Sequence, residues 1–152
     1  MKLIPFEEDD FERIFSFMQP IWLETYESVL PKEQIEFLLE KYFSKSALQA
    51  FVKNGYRYFK IDEVGVLVYV EREKEVYLDK LYLLPSARGK GYAEFVFAQL
   101  LNLEKDILLK VNRANARAVG CYLKNGFEIE KKEEILLGNG MINYDYVMRK
   151  RK

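Results

Sequence analysis

Between an apolar run and the start of a helical pattern, residues 85–94 read Pro-Ser-Ala-Arg-Gly-Lys-Gly-Tyr-Ala-Glu. A strand that turns through glycines into a helix leaves several backbone N–H groups unpaired at the positive end of the helix dipole, where an anion is favoured. Gly89 and Gly91 would let the backbone approach a phosphate and Arg88 and Lys90 add positive charge, although the same glycines would also serve a tight turn and nothing more. The Gly-Lys-Ser/Thr spacing of a Walker loop is absent, and the dinucleotide fingerprint lacks its third glycine or alanine in register. Further along, Asn115, Ala118 and Tyr122 recur at i, i+3 and i+7 and so share one helix face directly after an apolar strand.

Composition narrows what such groups can do. The chain has no histidine and one cysteine, Cys121, which excludes the common zinc sites, histidine-based triads and an internal disulfide; no metal is expected. Chemistry must rest on carboxylates, tyrosines, lysines, backbone amides or bound water. Lys plus Arg and Asp plus Glu balance at 24 each, so no overall field argues for nucleic acid and any anion site is local. The basic tail Val-Met-Arg-Lys-Arg-Lys is too short to supply many phosphate contacts. No apolar run approaches the roughly 20 residues of a membrane span, and the N-terminus lacks a signal-peptide core, so a cytoplasmic protein without membrane contact is expected.

The elements that must position these groups follow from periodicity. With 152 residues, 49% of them hydrophobic, a single domain over residues 1–152 is expected. Residues 1–6 read as an edge strand. An apolar-periodic stretch from Phe11 to about Val29, interrupted at Pro20, predicts a broken or two-part first helix, and residues 30–55 predict one long second helix between Pro31 and Gly55. Three β-rich runs then predict an antiparallel meander ending at Pro85. After the glycine turn come a helix and a short apolar strand over 106–111, completing a βαβ crossover. A further helix closed by Gly126 and a terminal hairpin follow.

Taken together, the two motifs resemble the GNAT N-acetyltransferase superfamily. Its Arg/Gln-x-x-Gly-x-Gly/Ala signature is met by Arg88, Gly91 and Ala93, and its Asn-x-x-Ala-x-x-x-Tyr pattern followed by Lys-x-Gly-Phe is met by Asn115, Ala118, Tyr122, Lys124, Gly126 and Phe127. The resemblance covers roughly residues 64–149. It implies an α+β fold in α/β/α layers: a mixed, mostly antiparallel sheet whose fourth and fifth strands splay apart, with helices on its flanks. It further implies acetyl-CoA as cosubstrate, its pyrophosphate held on the turn formed by Arg88, Gly89, Lys90, Gly91, Tyr92 and Ala93. Backbone groups around Leu83 would meet the pantetheine amides, Asn115 would contact that arm, and Tyr122 would face the thioester sulfur. Lys124 would either reach a CoA phosphate or remain a solvated helix-end lysine.

Acyl transfer to an amine requires a neutral amine, a polarised thioester carbonyl and a proton for the departing thiolate. An alkyl amine with a pKa near ~10.4 costs roughly 4 to 5 kcal/mol to deprotonate at pH 7, so a carboxylate or a water chain leading to one is expected. The family often carries a carboxylate where this chain has Tyr77; Asp79, two residues on, would share the face of Tyr77 in a regular strand. Asp79 is thus the candidate base and Tyr122 the candidate acid, with Glu24, Tyr26 and Tyr77 as candidate walls of the acceptor site. Carboxylates near that site suggest a small primary amine, a polyamine or a peptide amino group as acceptor, with the protein a monomer or a homodimer. A CoA-binding module without catalysis and a nucleotide-binding or interaction domain remain as alternatives.

Overall fold

A computed structural model describes residues 1–152. A seven-stranded sheet has the order β1-β2-β3-β4-β5-β7-β6, built from β1 (Leu3–Pro5), β2 (Arg57–Ile61), β3 (Gly65–Glu71), β4 (Glu75–Leu83), β5 (Asp106–Asn112), β6 (Glu128–Leu136) and β7 (Ile142–Lys150). Every pairing is antiparallel except that of β4 with β5, which are joined through helix α4 (Tyr92–Leu101) as the crossover pattern predicts. Helices α1 (Glu8–Tyr26), α2 (Lys32–Phe43) and α3 (Lys45–Lys53) cover one face, and α4 and α5 (Ala116–Lys124) the other.

Side-chain alternation along the strands feeds two separate cores. Val66 and Val68 join Ile14, Met18, Leu38 and Phe43 on the α1–α3 side, whereas Leu67, Val76, Leu78, Ile107 and Leu109 join Val96, Phe97 and Leu100 on the α4 side. The outermost strand, β6, is charged and largely exposed, which discourages edge-to-edge pairing with another chain.

Two helix boundaries differ from the sequence-based expectation. The first helix runs unbroken through Pro20 to Tyr26. Pro20 and Ser16, whose carbonyl loses its partner, both lie on the solvent face and so remain hydrated, while Met18, Ile21, Trp22 and Tyr26 bury the opposite face. Conversely, the predicted long second helix divides at Ser44. That residue is extended at ψ 156°, and its hydroxyl accepts from the Ala47 N–H at 3.3 Å, so it caps α3 instead of continuing α2.

Two irregularities in β4 shape the site. Its pairing with β5 is confined to Glu75–Leu78 against Asp106–Leu109; beyond that point the strands separate, as the family resemblance implied. Just where they part, β4 carries a bulge: Tyr69 of β3 lies opposite Leu78 and Val68 opposite Lys80, leaving Asp79 as the extra residue.

Candidate active site

Where β4 and β5 diverge, a cleft of about 640 Å³ opens, reaching from the glycine turn past Tyr122 to the α1–α3 side. At its first end the turn is arranged for an anion. Gly91 caps α4 at φ 88° and Gly89 sits at φ 73°, conformations that glycine adopts without strain. No backbone acceptor takes the N–H groups of residues 89–94, so the first turn of α4 offers a row of free donors into the cleft. Arg88, Gly89, Gly91, Tyr92, Ala93 and Leu83 line the cleft, and Lys90 stands exposed beside it.

Across the gap, α5 presents the second motif. The Asn115 side chain accepts from the Ala118 N–H at 3.2 Å, which both starts the helix and fixes Asn115 in the wall of the cleft. Seven residues on, Tyr122 is 9% exposed, wedged against Phe97 and Phe127 with ring centroids 6.0 and 5.4 Å away. Burial drives its phenol above the ordinary tyrosine range, with smaller contributions from Cys121 and Tyr26. Tyr26, from the end of α1, lies beside the Asn115 side chain in the same cleft wall, and burial pushes its own phenol up to about 12. The structure thus brings Tyr26 against the second motif, although the two are far apart in sequence.

Glu24 is placed differently from the acceptor wall the sequence suggested. It does not line the cleft but bonds Arg88 at 3.0 Å and approaches Arg117 at 3.9 Å, so this carboxylate borders the glycine turn. Cys121 lines the cleft but its thiol is held above its ordinary range by burial, which disfavours a thiolate.

At the other end stand Tyr77 and Asp79 from β4, enclosed by Trp22, Leu38, Tyr42, Phe51 and Tyr56. Burial raises the Tyr77 phenol and the Asp79 charge adds to the shift. Regular alternation would have pointed Lys80 to the opposite side of the sheet from Tyr77. The bulge brings it round, and its ammonium pairs with the Asp79 carboxylate in a nearly water-free setting, the two side chains being 4% and 16% exposed. Lys80 Nζ also lies 4.6 Å from the Phe51 ring centre, 5.3 Å from Phe43, and 5.9 Å from both Tyr42 and Tyr58. Such a box of aromatic faces replaces part of the hydration lost by a buried cation.

Two residues escaped the sequence reading. Arg117 adds a second cation beside Arg88, donating to Thr25 Oγ1 at 3.2 Å. Asp145, on β7, is 6% exposed and lines the cleft together with Asn143. One signal was available: Asn143, Asp145 and Val147 alternate on one strand face, and polar residues on a buried face are informative.

Comparison with known proteins identifies the family and the fold. Residues 11–127 match the acetyltransferase (GNAT) family. Over 59 residues the chain is 32% identical to the peptidyl-lysine N-acetyltransferase YjaB of Salmonella typhimurium, covering 39% of this chain and 41% of that protein. Over 81 residues it is 38% identical to an uncharacterized N-acetyltransferase of Mycobacterium tuberculosis, covering 50% and 51% respectively. The alignments therefore span two fifths to about half the length of these relatives. In fold, the chain resembles the PaiA N-acetyltransferase from Thermoplasma acidophilum, solved in complex with coenzyme A, with a TM-score of 0.78, 21% identity and 99% and 98% of the two chains covered. With both signature motifs facing one cleft at a strand splay, and the match running through most of its length, the chain belongs to the acetyltransferase (GNAT) family.

Proposed function

We propose that the protein transfers an acetyl group from acetyl-CoA to a primary amine by direct attack within a ternary complex. The observation that carries this reading is the single cleft joining the donor-rich turn, Tyr122 and the carboxylates beyond it. The free N–H groups of residues 89–94 and the Arg88 cation would hold the pyrophosphate, with Arg117 and Lys124 near enough to add charge. The unpaired edge of β4 beyond Leu78, including Leu83, offers backbone partners to an extended amide-bearing arm. That arm would then lie along the gap, with its thioester near the middle of the cleft.

In the reaction the amine nitrogen bonds to the acetyl carbon and the carbon–sulfur bond breaks. One amine proton leaves through a carboxylate or water; Tyr122 gives its phenolic proton to the CoA sulfur, and the second amine proton, relayed by water, restores the phenol. Burial keeps the Tyr122 phenol protonated at neutral pH, so a proton is on hand when the thiolate departs. Of the two carboxylates at this end, Asp145 and Asp79, the sequence suggests Asp79 as the base for the first proton. Its ion pair with Lys80 fixes its position but also matches its charge. A small primary amine, a polyamine or a peptide lysine would suit this end, the last being the acceptor for which YjaB is named.

The test is CoA release from acetyl-CoA in the presence of spermidine, a lysine-containing peptide, an aminoglycoside or an acidic amino acid. Release that requires one of the cationic amines is expected. CoA binding with no release for any amine would reassign the protein as a CoA-binding module without catalysis.

A further inference from the structure

Five charged side chains line the acceptor end of the cleft, and four of them already have an ion partner. Arg72 lies 3.6 Å from Glu75, Lys110 lies 2.9 Å from Glu133, and Asp79 and Lys80 hold each other. Asp145 has none. One of its oxygens accepts from Asn143 Nδ2 at 3.0 Å, and the Asn143 oxygen in turn accepts from Asn112 at 2.8 Å; no hydrogen bond reaches the other oxygen of Asp145. A carboxylate this buried, held in place on one side and lacking a counter-ion, is costly unless a cation completes it.

We infer that Asp145 is the residue that recognises the acceptor's ammonium group and takes its proton, and that the acceptor carries one cationic amine on an apolar arm. The inference rests on the proposed acetyltransferase reading and deepens it. A single uncompensated carboxylate matches a single positive charge, and the surrounding Leu38, Tyr42, Phe51 and Tyr56 provide apolar surface for an alkyl chain. Tyr42 and Tyr77 both feel the charges of Asp79 and Asp145, which puts the two carboxylates on one chamber. In the step, an N–H bond of the ammonium breaks and an O–H bond forms on Asp145; the freed nitrogen lone pair attacks the thioester. After product leaves, the Asp145 proton passes to water.

Burial pushes the Asp145 carboxyl up to about 6; Lys110 opposes this, Glu133 adds to it, and Arg113 opposes it least. The groups facing it are Lys110 and Arg113 from β5 and its following turn, Glu133 from β6, Tyr42 from α2, Tyr77 from β4 and Tyr26 from α1. A base in that range can accept a proton at neutral pH and return it to water. The sign for stability is fixed as well. Burial penalises the ionised form, so Asp145 opposes folding above its native pKa, and Asp145→Asn should unfold no more easily than the parent at pH 7.

The experiment compares the parent with Asp145→Asn, using n-hexylamine and spermidine as probes. Three readings are taken: steady-state acetylation between pH 5 and 9, calorimetric binding of n-hexylamine to the CoA-loaded protein, and thermal unfolding. We expect kcat/KM for n-hexylamine to fall about 100-fold, KM for acetyl-CoA to stay within a factor of two, and the acid limb of the parent's pH profile near 6 to disappear. The parent should also favour n-hexylamine over spermidine. Equal amine binding by both proteins, amine binding by neither, an unchanged acid limb, or a preference for spermidine would overturn the inference. If the parent binds n-hexylamine more tightly than Asp145→Asn but acetylates no amine, the acetyltransferase reading and the proton-transfer step fail while the ammonium site stands.

Discussion

The two ends of the cleft are built by different means. At the end proposed for the cofactor, the binding groups are local: a glycine turn, the first turn of α4 and the capped start of α5 each lie within a few residues of chain, and much of what they offer is backbone. At the acceptor end, Asp79 and Lys80 come from β4, Tyr42 from α2, Phe51 from α3, and Asp145 from β7, segments joined only by the fold. Backbone donors at a helix start suit a ligand that never changes. Side chains gathered from several elements can be altered one at a time, which suits a variable acceptor.

This contrast predicts that breaking the buried Asp79–Lys80 pair at the acceptor end disturbs the fold most. Lys80→Met would leave Asp79 without its partner and empty the aromatic box of its cation. Because breaking a buried pair is costly, a loss of about 3 kcal/mol in stability is expected from urea unfolding. A loss below about 1 kcal/mol, within the range of exposed pairs, would show that the chamber is wetter than the geometry implies. At the junction of the two ends, Tyr122→Phe keeps the ring packed against Phe97 and Phe127 while removing the hydroxyl. Turnover should fall about 100-fold with CoA affinity unchanged. Turnover within a factor of two of the parent would take Tyr122 out of the chemistry.

The smallest effect is expected at Glu24. Its carboxylate competes with an incoming phosphate for Arg88 and Arg117, and it is half exposed. Glu24→Gln should therefore tighten CoA binding, by no more than about fivefold given that exposed ion pairs contribute ~0.2–1 kcal/mol. Weaker CoA binding in this variant would mean that Glu24 positions the two arginines for the cofactor.

The same contrast explains how much could be read from the sequence. Arg88, Gly91, Ala93, Asn115 and Tyr122 stand in fixed local spacing, so both motifs, the crossover and the splayed strands could be anticipated. Pro20 and Ser44 misled because tertiary burial decides whether a proline or a capping serine ends a helix: solvent accepts the carbonyl freed by Pro20, and the Ser44 hydroxyl starts a new helix. The bulge at Asp79 leaves no mark in a strand that otherwise alternates, so the pairing with Lys80 was invisible. Asp145 was legible only as a polar residue on a buried strand face, and its lack of an ion partner appears only once five other segments surround it.

The most direct test of the account is calorimetric titration of acetyl-CoA and, separately, ATP into the parent and into Gly91→Glu, with folding checked by circular dichroism because φ at this position is 88°. The substitution puts a negative charge at the helix start where the free N–H groups converge. Acetyl-CoA should bind the parent more tightly than ATP and lose about 100-fold or more in a folded Gly91→Glu protein, a loss of ~2.7 kcal/mol. Tighter binding of ATP than of acetyl-CoA, or unchanged acetyl-CoA affinity in the folded variant, would contradict the assignment of this turn to coenzyme A.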